Sequence, residues 1–225
     1  MQPATETAPS QIHSLPQPRD SDRCILLSGV SWETYEALLA DMGDSHAAHF
    51  AYDQGELEIM APSYEHESIK GHIALLVNVL AEEFDIDIAG AGSTTFRRRD
   101  IAKGFEPDEC FYIRHAETVR GKKDINLQED PPPDLVVEID ITNPSLNKLP
   151  IFAALGIPEV WRYDGAQVII LTLTGNAYVK HPESAALPKV TSAMLTEFLT
   201  TSQQLKRTAW LRQVRAWARE QLSSS

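Results

Sequence analysis

The segment that most constrains the fold of this chain is PPPDLVVEIDITNPSLNK, which runs from Pro131 to Lys148. Its apolar run predicts a buried strand, but Glu138 and Asp140 interrupt that run. Side chains alternate between the two faces of a strand. One face is wholly apolar and consists of Leu135, Val137, Ile139 and Ile141. The other face carries Val136 and the two carboxylates, so the strand predicts a sheet with one buried side and one acidic side.

Two carboxylates on one strand face call for a compensating group. By the rise of a strand they stand about 7 Å apart, and partial burial raises the pKa of such a pair. A divalent cation or an ammonium group relieves the repulsion, and Lys148 follows at the start of the next predicted helix. The alternative is a solvated edge strand, on which acids are ordinary and Lys148 is a surface charge. This strand by itself leaves both interpretations open.

A further carboxylate precedes another apolar strand. In GFEPDECFYI, Pro107 fixes the backbone angle just before Asp108, which stands at the entrance of the strand. Two acidic strand positions and a nearby lysine favour a functional cluster over a solvated edge.

Length and composition favour one globular domain. The chain has 225 residues, 43% of them hydrophobic, which is enough for a sizeable core. The first residues are rich in Pro, Ser, Thr and Gln and have no apolar run, so we expect a disordered N-terminal tail over residues 1–23. We expect the folded domain over residues 24–200, followed by a C-terminal amphipathic helix and tail over residues 201–225.

Composition also limits the compartment and the partners. The sequence has neither the roughly 20 apolar residues of a bilayer span nor the blocks of a secretory signal. Cys24 and Cys110 lie outside any CxxC motif, which argues against a disulfide framework or a zinc ribbon. We therefore expect a cytoplasmic protein with no membrane partner. The formal charge of −12 requires that any contact with nucleic acid use local positive charge.

Apolar spacing and capping residues predict the helices. The predicted helices are SWETYEALLADM with Ser31 as N-cap, a long helix from Tyr64 to Phe84, a short helix from Lys148 to Gly156, one near Met194, and one from Gln203 to Leu222. The first of these is expected to be the first ordered element of the chain.

Runs of branched and aromatic residues predict the strands. A hairpin is predicted in HFAYDQGELEIM around Gly55, and strands of one sheet are predicted in STTFRRR, EPDECFYI, PDLVVEIDI, EVWRYD, QVIILTL and NAYVK. The fold class is therefore α+β (mixed α/β), with a central mixed β-sheet flanked by helices.

These blocks carry a resemblance to a known family. A Pro-Asp before one strand, then a strand with an acid and a nearby lysine, resembles the PD-(D/E)XK nucleases. The blocks GELEIMAPSYEH, EPDECFYI, PPDLVVEIDITNPS and KLPIFAALGIPEVWRYD, in this order, resemble the Uma2 family of putative restriction endonucleases within that superfamily. The resemblance covers roughly Trp32 to Lys180. It implies a restriction-endonuclease-like core and a homodimer.

The resemblance also implies roles for individual residues. Asp108, Glu138 and Lys148 match the catalytic acid, acid and lysine of the family motif. Two carboxylates and a carbonyl such as that of Ile139 suit Mg²⁺ or Mn²⁺, which prefer oxygen ligands. The slot two residues after Glu138, which usually holds lysine, holds Asp140 here. Lys148 must therefore replace that lysine, and Asp140 becomes a third metal ligand or an outer-shell acid.

Two further polar positions match the family pattern and have ordinary interpretations as well. Glu56 follows a turn glycine, where exposed acids are common. His66 lies near the start of the long helix, where histidines usually form local hydrogen bonds. The basic cluster from Phe96 to Arg99 either approaches phosphate or forms a solvated strand face.

Two functions follow from the sequence. The first is a Mg²⁺-dependent endonuclease that hydrolyses DNA phosphodiester bonds. The second is a non-catalytic dimeric module on the same fold that binds nucleic acid or protein, since a family resemblance establishes a fold better than a reaction. Asp140 and the charge of −12 favour the second function, and the joint match of Asp108, Glu138 and Lys148 favours the first.

Overall fold

The computed structural model describes residues 21–43, 48–141 and 146–223. Among these residues lie six α-helices, a short 3₁₀ turn and eleven strands in two sheets. The fold class is α+β, as the sequence predicts.

The first sheet, which we call the N-terminal sheet, is antiparallel throughout. Its strands, in spatial order, are β1 (Arg23–Leu27), β3 (Glu56–Ala61), β2 (His49–Asp53), β6 (Lys103–Phe105) and β5 (Phe96–Arg98). Helix α1 (Trp32–Met42) packs on it through Trp32 and Tyr35, which contact Tyr52. The Ser31 side chain accepts a hydrogen bond from the Thr34 backbone and caps this helix, as predicted.

The second sheet, which we call the central sheet, is mixed. Its strands, in spatial order, are β11 (Ala177–His181), β10 (Val168–Thr174), β9 (Glu159–Tyr163), β8 (Leu135–Ile139), β7 (Glu109–Tyr112) and β4 (Ala89–Gly90). Strands β8 and β9 form its one parallel pair among the described residues. Helix α4 (Leu149–Leu155) makes the crossover between them and ends at Gly156, whose φ is 78°.

The prediction that the strands form one sheet is wrong. The run STTFRRR forms β5, which pairs with β6 and so joins the hairpin β2–β3 rather than the central sheet. The Phe96 and Phe105 rings stack with a centroid separation of 5.4 Å. Both rings belong to a buried cluster that also contains residues of the central sheet, such as Val136 and Val160. Strand pairing is set by such long-range contacts, which periodicity along the chain does not reveal.

Helices cover both faces of the central sheet. One face packs on α2 (Tyr64–Glu83), α5 (Ser192–Ser202) and α6 (Arg207–Ser223), with Trp210 fully buried among them. The other face packs on α4 and on the N-terminal sheet through residues such as Val136 and Phe152. The shortest helix, α3 (Ala116–Val119), follows β7. None of the described helices is long and apolar enough to cross a bilayer.

Strand β8 is internal and buried on both faces. It lies between β7 and β9, and all five of its residues are buried. The faces alternate as predicted, since Leu135, Val137 and Ile139 join one core cluster and Val136 joins the other. The interpretation of this strand as a solvated edge is therefore wrong, because neighbouring strands and helices exclude water from Glu138.

The folded region begins before the first predicted element. Strand β1 precedes α1 and starts at Arg23, so the expectation that α1 is the first ordered element is wrong. Asp22 accepts a hydrogen bond from the Ser63 backbone, although it belongs to the segment expected to form a tail. The rest of that expected tail, residues 1–20, lies outside the described residues.

Candidate active site

The candidate site lies where β7 begins and β8 ends. These strands run antiparallel with Glu109 opposite Val137, so Asp108 and Glu138 come together at one end of the central sheet. The Asp108 Oδ2 atom accepts a hydrogen bond of 2.7 Å from the Ile139 backbone. This contact fixes the Asp108 carboxylate beside the end of β8.

Lys148 enters the same site from the segment before α4. Its Nζ atom donates a hydrogen bond of 2.7 Å to Glu138 Oε2, and both side chains are nearly buried. Burial opposes the charge of Lys148, but the surrounding carboxylates Glu138, Asp108 and Glu58 outweigh it and raise its pKa. Lys148 is therefore an ammonium group at neutral pH.

The surroundings of Glu138 shift its pKa in opposite directions. Burial raises its pKa, Lys148 opposes this effect, and Asp108 and Asp140 reinforce it, so that the net shift of the pKa is upward. Its second carboxylate oxygen, Oε1, is buried and has no hydrogen-bond partner among the described residues. A buried acceptor of this kind is costly unless another group satisfies it.

Two histidines contact the carboxylate of Asp108. The His49 Nδ1 atom lies 3.2 Å from Asp108 Oδ1, and the His66 Nε2 atom lies 3.0 Å from the same oxygen. Burial alone raises the pKa of Asp108, but the contacts with His49 and His66 outweigh burial and hold the pKa well below its usual range. Asp108 is therefore a fixed anion.

His66 connects Asp108 to the start of the folded chain. Its Nδ1 atom lies 3.1 Å from Asp22 Oδ2, so both ring nitrogens face a carboxylate. Burial lowers the pKa of His66, but these two acids outweigh burial and raise it to about 9. The ring is held at the N-terminus of α2, where the Ser63 side chain accepts a hydrogen bond from the His66 backbone.

Asp140 lies at the rim of the site and pairs with an arginine of β9. The Arg162 Nε atom lies 2.5 Å from Asp140 Oδ2. Burial raises the pKa of Asp140, which Arg162 and Lys148 oppose, and the net shift is upward. Asp140 is therefore near Glu138 but engaged by Arg162.

Of the two further predicted positions, the structure brings one into the site. His66 contacts Asp108 as described above. Glu56, at the start of β3, accepts a hydrogen bond of 2.8 Å from the Ser28 side chain. Among the described residues, no hydrogen bond or ion pair joins Glu56 to Asp108, Glu138 or Lys148.

The acid that β3 does bring to the site is Glu58, which sequence reasoning missed. It is 2% exposed, and its Oε2 atom accepts a hydrogen bond of 2.9 Å from the Leu146 backbone, two residues before Lys148. Glu56 and Glu58 share one strand face, so the alternation of side chains does not indicate which of the two acids lies at the site. His49, Asp22 and Arg162 were missed as well, because each lies far from Asp108 or Glu138 in sequence.

A cavity of about 380 Å³ opens onto these side chains. Its lining includes Glu138, Asp140, Lys148, Phe152 and Arg162. Among the described residues, no three His, Cys, Asp or Glu side chains are already arranged to hold a metal ion.

Three comparisons place the chain among known proteins. The model of the Uma2 family, described as a putative restriction endonuclease family, matches residues 32–206. A solved structure, a putative nuclease belonging to DUF820 from Anabaena variabilis ATCC 29413, has 14% sequence identity and a TM-score of 0.50, over 76% of this chain and 99% of that chain. This likeness supports the fold. No curated protein matches. Since the family model covers most of the chain, the protein belongs to the Uma2 family of putative restriction endonucleases.

Proposed function

We propose that this protein is a metal-dependent endonuclease that hydrolyses DNA phosphodiester bonds with Asp108, Glu138 and Lys148. The observation that carries the proposal is the buried contact of 2.7 Å between Lys148 Nζ and Glu138 Oε2, next to Asp108 and below an open cavity. An ammonium group between carboxylates is expensive to bury and is a frequent feature of reactive sites. Membership of a family described as putative restriction endonucleases also supports a nuclease.

The residues present fit a divalent cation, with Mg²⁺ or Mn²⁺ as the proposed ion. Glu138 Oε1 is a buried acceptor without a hydrogen-bond partner among the described residues. Asp108 and Glu138 are buried beside Lys148, and carboxylate oxygens are ligands that such an ion prefers. Asp108 and Glu138 would hold the ion, with the Ile139 carbonyl as a further oxygen and Asp140 at the rim. A bound divalent ion would polarise the phosphate and acidify a coordinated water.

The chain's own residues supply the rest of the chemistry. Lys148 is held as an ammonium group and stabilises negative charge that builds on the phosphoryl oxygens. Asp108 is oriented by the Ile139 backbone and kept ionised by His49 and His66, so it is ready to bind a cation without a change in protonation. Phe152 and Val160 form an apolar part of the cavity wall.

The experiment is cleavage of supercoiled and single-stranded DNA in Mg²⁺ or Mn²⁺. Wild type is compared with Asp108→Ala and Lys148→Ala, and Lys180→Ala, at an exposed lysine of β11, is the matched control. We expect cutting that requires the metal, is lost in both site variants and survives in the control. Absence of cutting by folded wild type, or cutting that survives both changes, would replace the nuclease with the non-catalytic binding module.

We also propose a homodimer in the cytoplasm. Ile25, Leu26 and Leu27 on β1 are 59%, 40% and 41% exposed, and β1 is an edge strand of the described N-terminal sheet. Such an edge supports pairing with a second copy. Sedimentation equilibrium of wild type and Ile25→Lys tests this, and a wild-type monomer at micromolar concentration would exclude it. Both cysteines are unpaired thiols, which agrees with a reducing compartment.

A further inference from the structure

We infer that Arg162 binds the phosphate of the DNA backbone in the candidate active site, as a second cation beside Lys148. The inference rests on the proposed function, because it takes a phosphodiester as the ligand. It adds a residue that would hold the phosphate and that the family motif of two acids and a lysine does not include.

Strand pairing places Arg162 beside the acids of the site. Strands β8 and β9 are parallel neighbours with Glu138 opposite Arg162, so the two side chains leave the sheet on the same face. Asp140 comes two residues after Glu138 and contacts Arg162. These three residues and Lys148 line the cavity of about 380 Å³. Arg162 is therefore within reach of a ligand that enters this cavity.

The guanidinium group of Arg162 retains hydrogen-bond donors for a ligand. Its Nε atom lies 2.5 Å from Asp140 Oδ2, but the contact is ionic rather than a well-aligned hydrogen bond, and this buried Nε atom has no acceptor among the described residues. A single carboxylate engages only one edge of the planar guanidinium, and the Arg162 side chain is 37% exposed. The remaining donors suit the oxygens of a phosphate, because the guanidinium fork matches their geometry.

Two unsatisfied polar atoms of opposite kind lie on these neighbouring strands. Glu138 Oε1 is a buried acceptor and Arg162 Nε is a buried donor, and neither has a hydrogen-bond partner among the described residues. Buried polar atoms without partners are rare and costly. An acceptor of this kind favours a cation, and a donor favours an anion. A divalent ion and a phosphate oxygen together would satisfy both atoms.

The cavity lining has no excess of positive charge by itself. Its charged residues are Glu138 and Asp140 on one side of the balance and Lys148 and Arg162 on the other. The inference therefore depends on the placement of Arg162 and not on the net charge of the cavity. The positive charge of the proposed divalent ion would offset the charge of an incoming phosphate. The test is accordingly made with a divalent ion present.

The test measures binding of the dinucleotide d(TpT), which has a single phosphodiester, by ligand-observed NMR titration. Ca²⁺ at a saturating concentration replaces Mg²⁺, and chromatography checks that the probe stays intact, so that binding is separated from cleavage. We expect Arg162→Gln to weaken binding of d(TpT) by about tenfold or more, because a charge-assisted hydrogen bond is lost. Arg162→Lys keeps the charge without the fork and should give an intermediate affinity.

A neutral probe identifies the phosphate as the group that Arg162 contacts. In the methylphosphonate analogue of d(TpT), a methyl group replaces one charged oxygen of the phosphodiester. We expect wild type to bind this analogue more weakly than d(TpT), and Arg162→Gln to change the affinity for the analogue little. The variant should therefore discriminate between the two probes less than wild type does.

A double-mutant cycle with Asp140 tests the alternative that Arg162 serves only to neutralise this acid. If Arg162 contacts the phosphate, Arg162→Gln should weaken binding of d(TpT) in the Asp140→Asn background as well. The matched control is Arg98→Gln, since Arg98 is also paired with an acid, Asp100, and its side chain is 30% exposed. Arg98 does not line the cavity, so binding should be unchanged.

Three results would overturn the inference. They are a folded Arg162→Gln variant that binds d(TpT) as tightly as wild type, a loss of affinity that occurs only where Asp140 is retained, and an equal loss in Arg98→Gln. Absence of binding by folded wild type at millimolar d(TpT) would have the same consequence.

Failure of this inference differs from failure of the proposed function. Metal-dependent cutting that is lost in Lys148→Ala, together with normal binding of d(TpT) by Arg162→Gln, would retain the nuclease and remove the role of Arg162. Binding of d(TpT) that depends on Arg162, without any cutting by wild type, would retain the phosphate site and remove the nuclease.

Discussion

Lys148 comes ten residues after Glu138 in the sequence, and its Nζ atom lies 2.7 Å from Glu138 Oε2. The position two residues after Glu138 holds Asp140, which is engaged by Arg162. The chain thus supplies an ammonium group to the carboxylate from the segment before α4 rather than from β8 itself.

Removing one member of this buried pair should cost more stability than removing both. Lys148→Met leaves Glu138 buried with Asp108 as a neighbour, and we expect a loss of roughly 3 kcal/mol in the free energy of unfolding. The double variant Glu138→Gln/Lys148→Met should recover part of that loss, because no unpaired charge remains. Urea denaturation of wild type, Glu138→Gln, Lys148→Met and the double variant measures the coupling free energy between the two side chains. A loss of unfolding free energy in the double variant that equals the sum of the two single losses would show that the two groups do not interact.

Glu138 should be required for metal binding but not for folding. Glu138→Gln keeps the shape of the side chain and removes its charge, so the rise in melting temperature on addition of Mn²⁺ should disappear. The circular dichroism spectrum and cooperative melting should remain. Calorimetric titration of Mn²⁺ checks the same point, with Glu129→Gln at an exposed loop position as control. A variant that binds Mn²⁺ like wild type would show that Glu138 is not a ligand.

Glu58 and Glu56 should behave differently although they lie two residues apart on one strand. Glu58→Ala removes the acceptor of the Leu146 backbone N–H, which should cost about 1–3 kcal/mol and reduce kcat by displacing Lys148. Glu58→Gln retains an acceptor and should cost less. Glu56→Ala should stay within about 0.5 kcal/mol of wild type, because its bond to Ser28 is exposed. Similar losses at both positions would contradict the assignment of Glu58 to the site.

The stability of the metal-free protein should fall as pH rises from about 6.5 to 9. The pKa of His66 is raised to about 9 in the folded state, because Asp108 and Asp22 outweigh the effect of burial. The unfolded chain has the ordinary pKa of about 6.5, so the folded state binds more protons in this window and its advantage is lost above the folded pKa. The total change should be up to about 3 kcal/mol.

Chemical denaturation in EDTA at several pH values measures this dependence. His66→Gln removes one titrating group and should reduce the slope of the curve between pH 6.5 and 9, while Glu138, whose pKa burial also raises, contributes the slope that remains. A wild-type curve that is flat, or that rises with pH, would show that His66 is neutral in the folded protein.

Local patterns determined much of this structure. The Ser31 cap of α1, the apolar spacing of α2 and the end of α4 at Gly156 agree with the predicted helices. Gly55 allows the β2–β3 hairpin, because its φ of 106° suits a residue without a side chain. The alternation in β8 correctly separated the apolar face from the face of Glu138. These features depend on neighbours within a few residues, so the sequence by itself contains them.

Only the tertiary structure decided how the strands divide into two sheets and which polar residues meet. Strand β5 joined the N-terminal sheet, and Asp22, His49 and Glu58 reached the surroundings of Asp108 and Lys148 from distant parts of the chain. Alternation gives Glu56 and Glu58 the same face, and burial alone distinguishes them. Burial and pairing depend on which surfaces meet after the chain has folded, and no pattern along the sequence carries that information.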